Sequence, residues 1–136
     1  MHWMPPPDQS ASDPHAQPDT GDGRVIVDVR VLEELVGGEP EIVRDFLLQY
    51  RTSARAIMTD FRRAQATDDL VTMSRATHKL KSSARAIGAG GLGDVCARIE
   101  GAAAAGDAQA VTTLCPELER SVAAVEVAID RLVGAA

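Results

Sequence analysis

Aromatic residues are nearly missing: one Trp, one Tyr and two Phe make up 3% of the 136 residues. Much of the apolar content is Ala, Val and Leu, a mix that suits closely packed helices more than a sheet. Cysteine is almost as scarce. Two thiols, Cys96 and Cys115, cannot make a disulfide framework and lack zinc-finger spacing, so both are expected as reduced thiols in a helical core. No apolar run approaches the roughly 18 residues that a membrane span requires, and the N-terminus has no hydrophobic signal-peptide core. A cytoplasmic protein without a membrane role is expected. Basic residues are outnumbered, 14 Lys and Arg against 20 Asp and Glu, and the net charge of −6 argues against general nucleic-acid binding. There is no Gly-rich nucleotide-binding segment, no Gly-x-Ser-x-Gly elbow and no His-Glu-x-x-His element, which excludes a complete kinase and gives no sign of a hydrolase or metalloprotease. An autonomous enzyme is not expected, and the length suits one domain.

Residues 1–24 read as a disordered tail, because they hold five of the seven prolines, four aspartates and almost no aliphatic side chain larger than alanine. His2 and His15 lie in it without neighbouring metal ligands. From residue 25 to 136 the pattern is helical. Asp28 caps a short leading helix carrying Val31, Leu32, Leu35 and Val36, which Gly37-Gly38 ends. A second run places Ile42, Phe46, Tyr50, Ala54, Ile57 and Phe61 at steps of three and four. Thr67-Asp68-Asp69 closes it and can cap a third run of Leu70, Met73, Thr77, Leu80, Ala84 and Ile87. After Gly88 come a fourth run (Leu92, Val95, Cys96, Ile99, Ala103) and a fifth (Val111, Leu114, Leu118, Val122, Val125, Ile129, Leu132). Pro116 should bend the fifth helix or mark its beginning. Amphipathic runs joined by short turns bury their stripes most economically as an all-α, antiparallel up-and-down four-helix bundle, with the short N-terminal helix covering one end.

The third run carries the chemistry. At about 100° per residue its apolar stripe centres near Met73, Leu80 and Ala84, and His78 lies roughly 130° away, facing solvent. Val71, Ser74, Lys81, Ser82 and Arg85 fall on the same side, with Arg75 just beyond. Between Thr72 and Arg85 there are four cations (Arg75, Lys79, Lys81, Arg85) and no acid. An exposed imidazole among four cations on an acidic protein suits transient negative charge, and a phosphoryl group fits.

The segment Ala76-Thr77-His78-Lys79-Leu80-Lys81-Ser82-Ser83-Ala84-Arg85-Ala86-Ile87-Gly88-Ala89, followed by Leu92, Cys96 and Ile99-Glu100, resembles the histidine-containing phosphotransfer (HPt) domain family of bacterial phosphorelays. The likeness extends from about Asp28 to Val133 through Leu32-x-x-Leu35, Gly37-Gly38, Phe46, Gly106-Asp107 and the segment around Pro116. It implies that His78 accepts the phosphate, that Lys81 steadies the phosphoryl oxygens, that Gly88 ends their helix, and that Glu100 stands beside the histidine on the adjacent helix. Ser82 departs from the family, which usually has glycine after the lysine; a serine there either donates to the phosphoryl group or crowds the partner.

By this resemblance the chain is a carrier between receiver domains of response regulators and a hybrid histidine kinase. It needs no cofactor of its own, and Mg²⁺ is expected in the receiver's acidic pocket. The docking face should combine a basic rim of Arg75, Lys79 and Arg85 with exposed apolar residues such as Val71. One functional face favours a monomer. Ser82 leaves a second reading open, a helical adaptor that binds a kinase or receiver through this face without being phosphorylated.

Overall fold

The computed structural model describes residues 25–134. The proline-rich segment 1–24, with His2 and His15, and residues 135–136 lie outside the described residues. Five helices follow one another: α1 (Val29–Val36), α2 (Pro40–Ala66), α3 (Leu70–Ala86), α4 (Gly90–Ala104) and α5 (Ala108–Gly134). There is no strand among the described residues. Helix α2 packs on α3, α3 on α4, α4 on α5 and α5 back on α2, so four antiparallel helices close a ring, with α3 diagonally opposite α5. Helix α1 lies across α2 and α3 at one end.

The three turns inside the bundle share one physical solution. Each is three residues long, and in each the third residue's N–H reaches back to a carbonyl five positions earlier: Asp69 to Ala64 at 2.9 Å, Ala89 to Ala84 at 2.8 Å and Asp107 to Ala102 at 2.9 Å. This bond pattern satisfies the orphan carbonyls of a helix end and needs a left-handed residue in the middle of the turn. Asp68 (φ 54°), Gly88 (φ 80°) and Gly106 (φ 74°) supply it. The next residue then opens the following helix: Asp69 accepts from Thr72 N–H at 3.1 Å and from the Thr72 hydroxyl at 2.6 Å, and Asp107 accepts from Ala110 N–H at 3.1 Å. One short motif thus stops one helix, reverses the chain and starts the next.

Burial corrects two of the sequence expectations. In α2 the core side is Val43, Leu47, Tyr50, Ala54, Met58, Phe61 and Ala64, whereas Ile42 and Phe46 are 42% and 37% exposed. The pairs Ile42-Val43 and Phe46-Leu47 put apolar residues at adjacent angles, and periodicity alone takes the wrong member of each. In α1 only Leu32 is buried, while Leu35 and Val31 face out. The stripes of α3 and α4 lie where periodicity places them, with Met73, Leu80, Ala84, Leu92, Val95, Cys96 and Ile99 all buried. Pro116 falls inside α5 rather than at its beginning. Both cysteines are free and buried, and burial pushes the Cys96 thiol up to about 12, so it stays protonated at neutral pH. Across the α2–α5 seam, Arg51–Asp130, Arg55–Glu126 and Arg62–Glu119 pair side by side and fix the register of the two longest helices.

Gly88 has a duty that Gly106 lacks. Its carbonyl accepts from Asp28 N–H at 2.9 Å, and a Cβ there would sit 2.1 Å from the Asp28 carbonyl oxygen. The segment entering α1 therefore lies directly on the turn that ends α3. Gly88→Ala is expected to lower the unfolding free energy by about 2 kcal/mol or more, from left-handed strain plus displacement of the Asp28 segment. Gly106→Ala meets nothing within 4 Å and should lose only the conformational part, about 1 kcal/mol. Urea denaturation of both variants checks this, and equal losses would remove the role given to the Asp28 contact.

Candidate functional site

Helix α3 presents its site because one face is committed to the core. Met73, Ala76, Thr77, Leu80 and Ala84 are buried, and the Thr77 hydroxyl satisfies itself on the Met73 carbonyl at 2.9 Å. His78 follows directly on the opposite side, with 61% of its side chain exposed. Antiparallel packing about residues 87–89 brings Glu100 of α4 level with it.

Glu100 bridges two of the predicted residues. Its Oε2 lies 2.8 Å from His78 Nδ1, and its Oε1 accepts from Lys81 Nζ at 2.5 Å. The Lys81 ammonium, and behind it the His78 ring, hold the Glu100 carboxyl below the usual carboxylate range, so it is ionised at neutral pH. An ionised carboxylate can only accept. The proton between the two side chains therefore belongs to Nδ1, and in the neutral ring the lone pair is on Nε2, the nitrogen that Glu100 does not engage. Ser82 sits one turn beyond His78, and its hydroxyl turns back to the His78 carbonyl at 3.3 Å, leaving only a short side chain beside the ring.

The four cations are not equivalent, which amends the local charge read from α3 alone. Two face acids of α4 that lie outside that segment: Lys81 is held by Glu100, and Arg85 has Asp94 at 3.9 Å. The aliphatic stem of Arg85 rests over Gly93, where a Cβ would come within 2.9 Å of Arg85 Cγ. Arg75 and Lys79 instead flank the α2 side of His78 and have no hydrogen-bonded or ion-paired partner among the described residues. With Ile57 and Asp60 of α2 and with Thr72 and Ala76, they line a notch of about 120 Å³. Val71, 62% exposed, stands one turn before Arg75. Sequence reasoning missed Asp94, the packing of Arg85 over Gly93 and the Ile57 floor of this notch. The glycine inside the first turns of α4 was a visible hint of this close approach. No helix among the described residues is long and apolar enough to cross a membrane.

Comparison with known proteins agrees with this geometry. A model of the Hpt domain family matches residues 45–132, well over half of the chain and inclusive of α3 and α4. Among solved structures, histidine-containing phosphotransfer protein B from Pseudomonas aeruginosa PAO1 has the same fold, with a TM-score of 0.75 over 82% of this chain and 96% of that one, at 21% identity. No curated protein sequence matches. With an exposed histidine on α3 and the family's pattern matched from residue 45 to residue 132, the chain belongs to the Hpt domain family, the phosphotransfer carriers of two-component signalling.

Proposed function

We propose that the chain is a phosphorelay carrier: His78 takes a phosphoryl group from the aspartyl phosphate of one receiver domain and passes it to the aspartate of another, with a hybrid histidine kinase upstream. The observation that supports this reading is an exposed histidine ring whose Nδ1 is engaged by Glu100, which in the neutral ring leaves Nε2 as the nucleophilic nitrogen. Nε2 attacks phosphorus as the bond from phosphorus to the aspartyl oxygen breaks, and the leaving carboxylate stays with the receiver and its Mg²⁺. The ring gains positive charge as the N–P bond forms. Glu100 faces that charge through Nδ1–H, so the transition state is stabilised more than the resting imidazole. Lys81, tethered to the other carboxylate oxygen and one turn from His78, supplies the counter-charge for the phosphoryl oxygens.

Radiolabelled phospho-receiver should give an acid-labile, alkali-stable label on the protein that His78→Gln abolishes. Lys81→Ala should slow transfer or shorten the lifetime of the phosphohistidine while the helical circular dichroism signal stays unchanged. A protein that binds the receiver and stays unlabelled is the adaptor instead.

Glu100→Gln keeps an acceptor for Nδ1–H but no negative charge, and transfer should fall by about tenfold to a hundredfold, the range seen when the carboxylate behind a metal-ligating histidine is changed. The same substitution has a pH signature. Because the folded-state pKa of Glu100 lies below its ordinary value of 4.5, its stabilisation is fully present above that value and is lost as pH falls through the depressed one. The melting midpoint of Glu100→Gln should trail the wild type at neutral pH and converge with it in acid; a gap that persists in acid would mean that the contact stabilises by packing.

A further inference from the structure

The notch between α2 and α3 holds two of the rim cations, Arg75 and Lys79, and its chemistry is one-sided. Arg75 and Lys79 stand four residues apart on α3, so both side chains overhang the same groove. Neither has a hydrogen-bonded or ion-paired partner among the described residues, although Arg75 lies within reach of the charge of Asp69 at the start of α3, in contrast to Lys81 and Arg85, which carboxylates of α4 approach on the other flank. His78 therefore divides its own surface into a side with two open cations and a side that is nearly neutral. The groove is apolar at Ile57 and Ala76, and exposed Val71 stands one turn before Arg75 on the same helix. The one acid in the notch, Asp60, lies 4.0 Å from Arg63 of its own helix.

We infer that this notch is the specificity pocket of the docking face, and that it receives a carboxylate side chain, with an aliphatic neighbour, from the receiver's docking element. The inference rests on the carrier reading above and adds to it the chemistry of the partner. Charge complementarity is the argument: two cations with no ion-paired partner among the described residues, over an apolar floor and beside a reacting histidine, fit an acidic residue that is drawn in by the cations and loses water against Ile57 and Ala76. A partner presenting a basic residue at this place meets Arg75 and Lys79 head-on and is rejected. Asp60 opposes the incoming carboxylate and weakens the pocket.

The test uses the full chain loaded on His78 with phosphoramidate, a small donor that needs no docking surface, and then mixed with receiver domains encoded in the same genome. Loading is measured for each variant before transfer, so a defect at the histidine is separated from a defect in docking. Arg75→Glu with Lys79→Glu should lower the second-order transfer rate by about tenfold or more and flatten its salt dependence. Asp60→Asn should raise the rate. Arg120→Glu with Arg131→Glu makes the same change of net charge on α5, diagonally across the bundle, and should leave transfer within about twofold of wild type. Wild-type transfer in the Arg75 and Lys79 variant, or an equal loss in the α5 variant, overturns the pocket and leaves only general steering. If the wild type loads but passes phosphate to no receiver, the carrier reading falls and the pocket with it; if the wild type never loads, the fault lies with His78 itself.

Discussion

A single carboxylate across a helix seam gives this surface its chemistry. Glu100 belongs to α4, His78 and Lys81 to α3, and each of its two oxygens takes one of them. Without the carboxylate, the imidazole would be free to choose its tautomer and rotamer and the lysine would wave in solvent. With it, the ring has one bonded nitrogen and one open nitrogen, and the cation is parked one turn from where a phosphoryl group would sit. In the proposed carrier the arrangement acts as a pre-organised electrostatic site rather than a general-base site, since a neutral imidazole with its lone pair free needs no proton removed from it.

That carboxylate works only if α3 and α4 hold their relative height to within a fraction of a turn. The bundle achieves this with repeated turns of fixed geometry, small side chains at the seam and the lid formed by α1. Gly93 lets the Arg85 stem lie on α4, and Gly88 ends α3 where the chain entering α1 crosses it. Shifting α4 along α3 by one residue would move Glu100 by about 1.5 Å and rotate it by about 100°, enough to lose both contacts. The stability of the turns and the tautomer of the histidine are thus parts of one constraint.

Much of this was legible in the sequence, and the exceptions have identifiable causes. The α3 and α4 stripes could be placed because their apolar residues are single and separated by polar ones, and His78 follows from them by angle alone. The α2 stripe was misplaced at Ile42 and Phe46 because apolar doublets give periodicity two equal solutions, which only the packing of α1, α3 and α5 separates. The charge around His78 was misjudged for another reason: counting along α3 sees the four cations, while the acids that offset Lys81 and Arg85 sit on a different helix, 19 and 9 residues onward respectively. Pairing across a hairpin is a tertiary fact. Glu100 could be anticipated only through family resemblance, and the open pair of Arg75 and Lys79 only once the other two cations had been seen engaged.

The central claim is that His78 carries the phosphoryl group on Nε2 while Nδ1 keeps its proton toward Glu100. Nitrogen-15 and phosphorus-31 NMR of the protein labelled at histidine and loaded with phosphoramidate measures both at once. The account predicts one new nitrogen–phosphorus coupling, at Nε2 of His78, together with a protected Nδ1 proton whose protection is lost in Glu100→Ala, which leaves no acceptor there. Phosphorus bonded to Nδ1, or to a histidine other than His78, would contradict it.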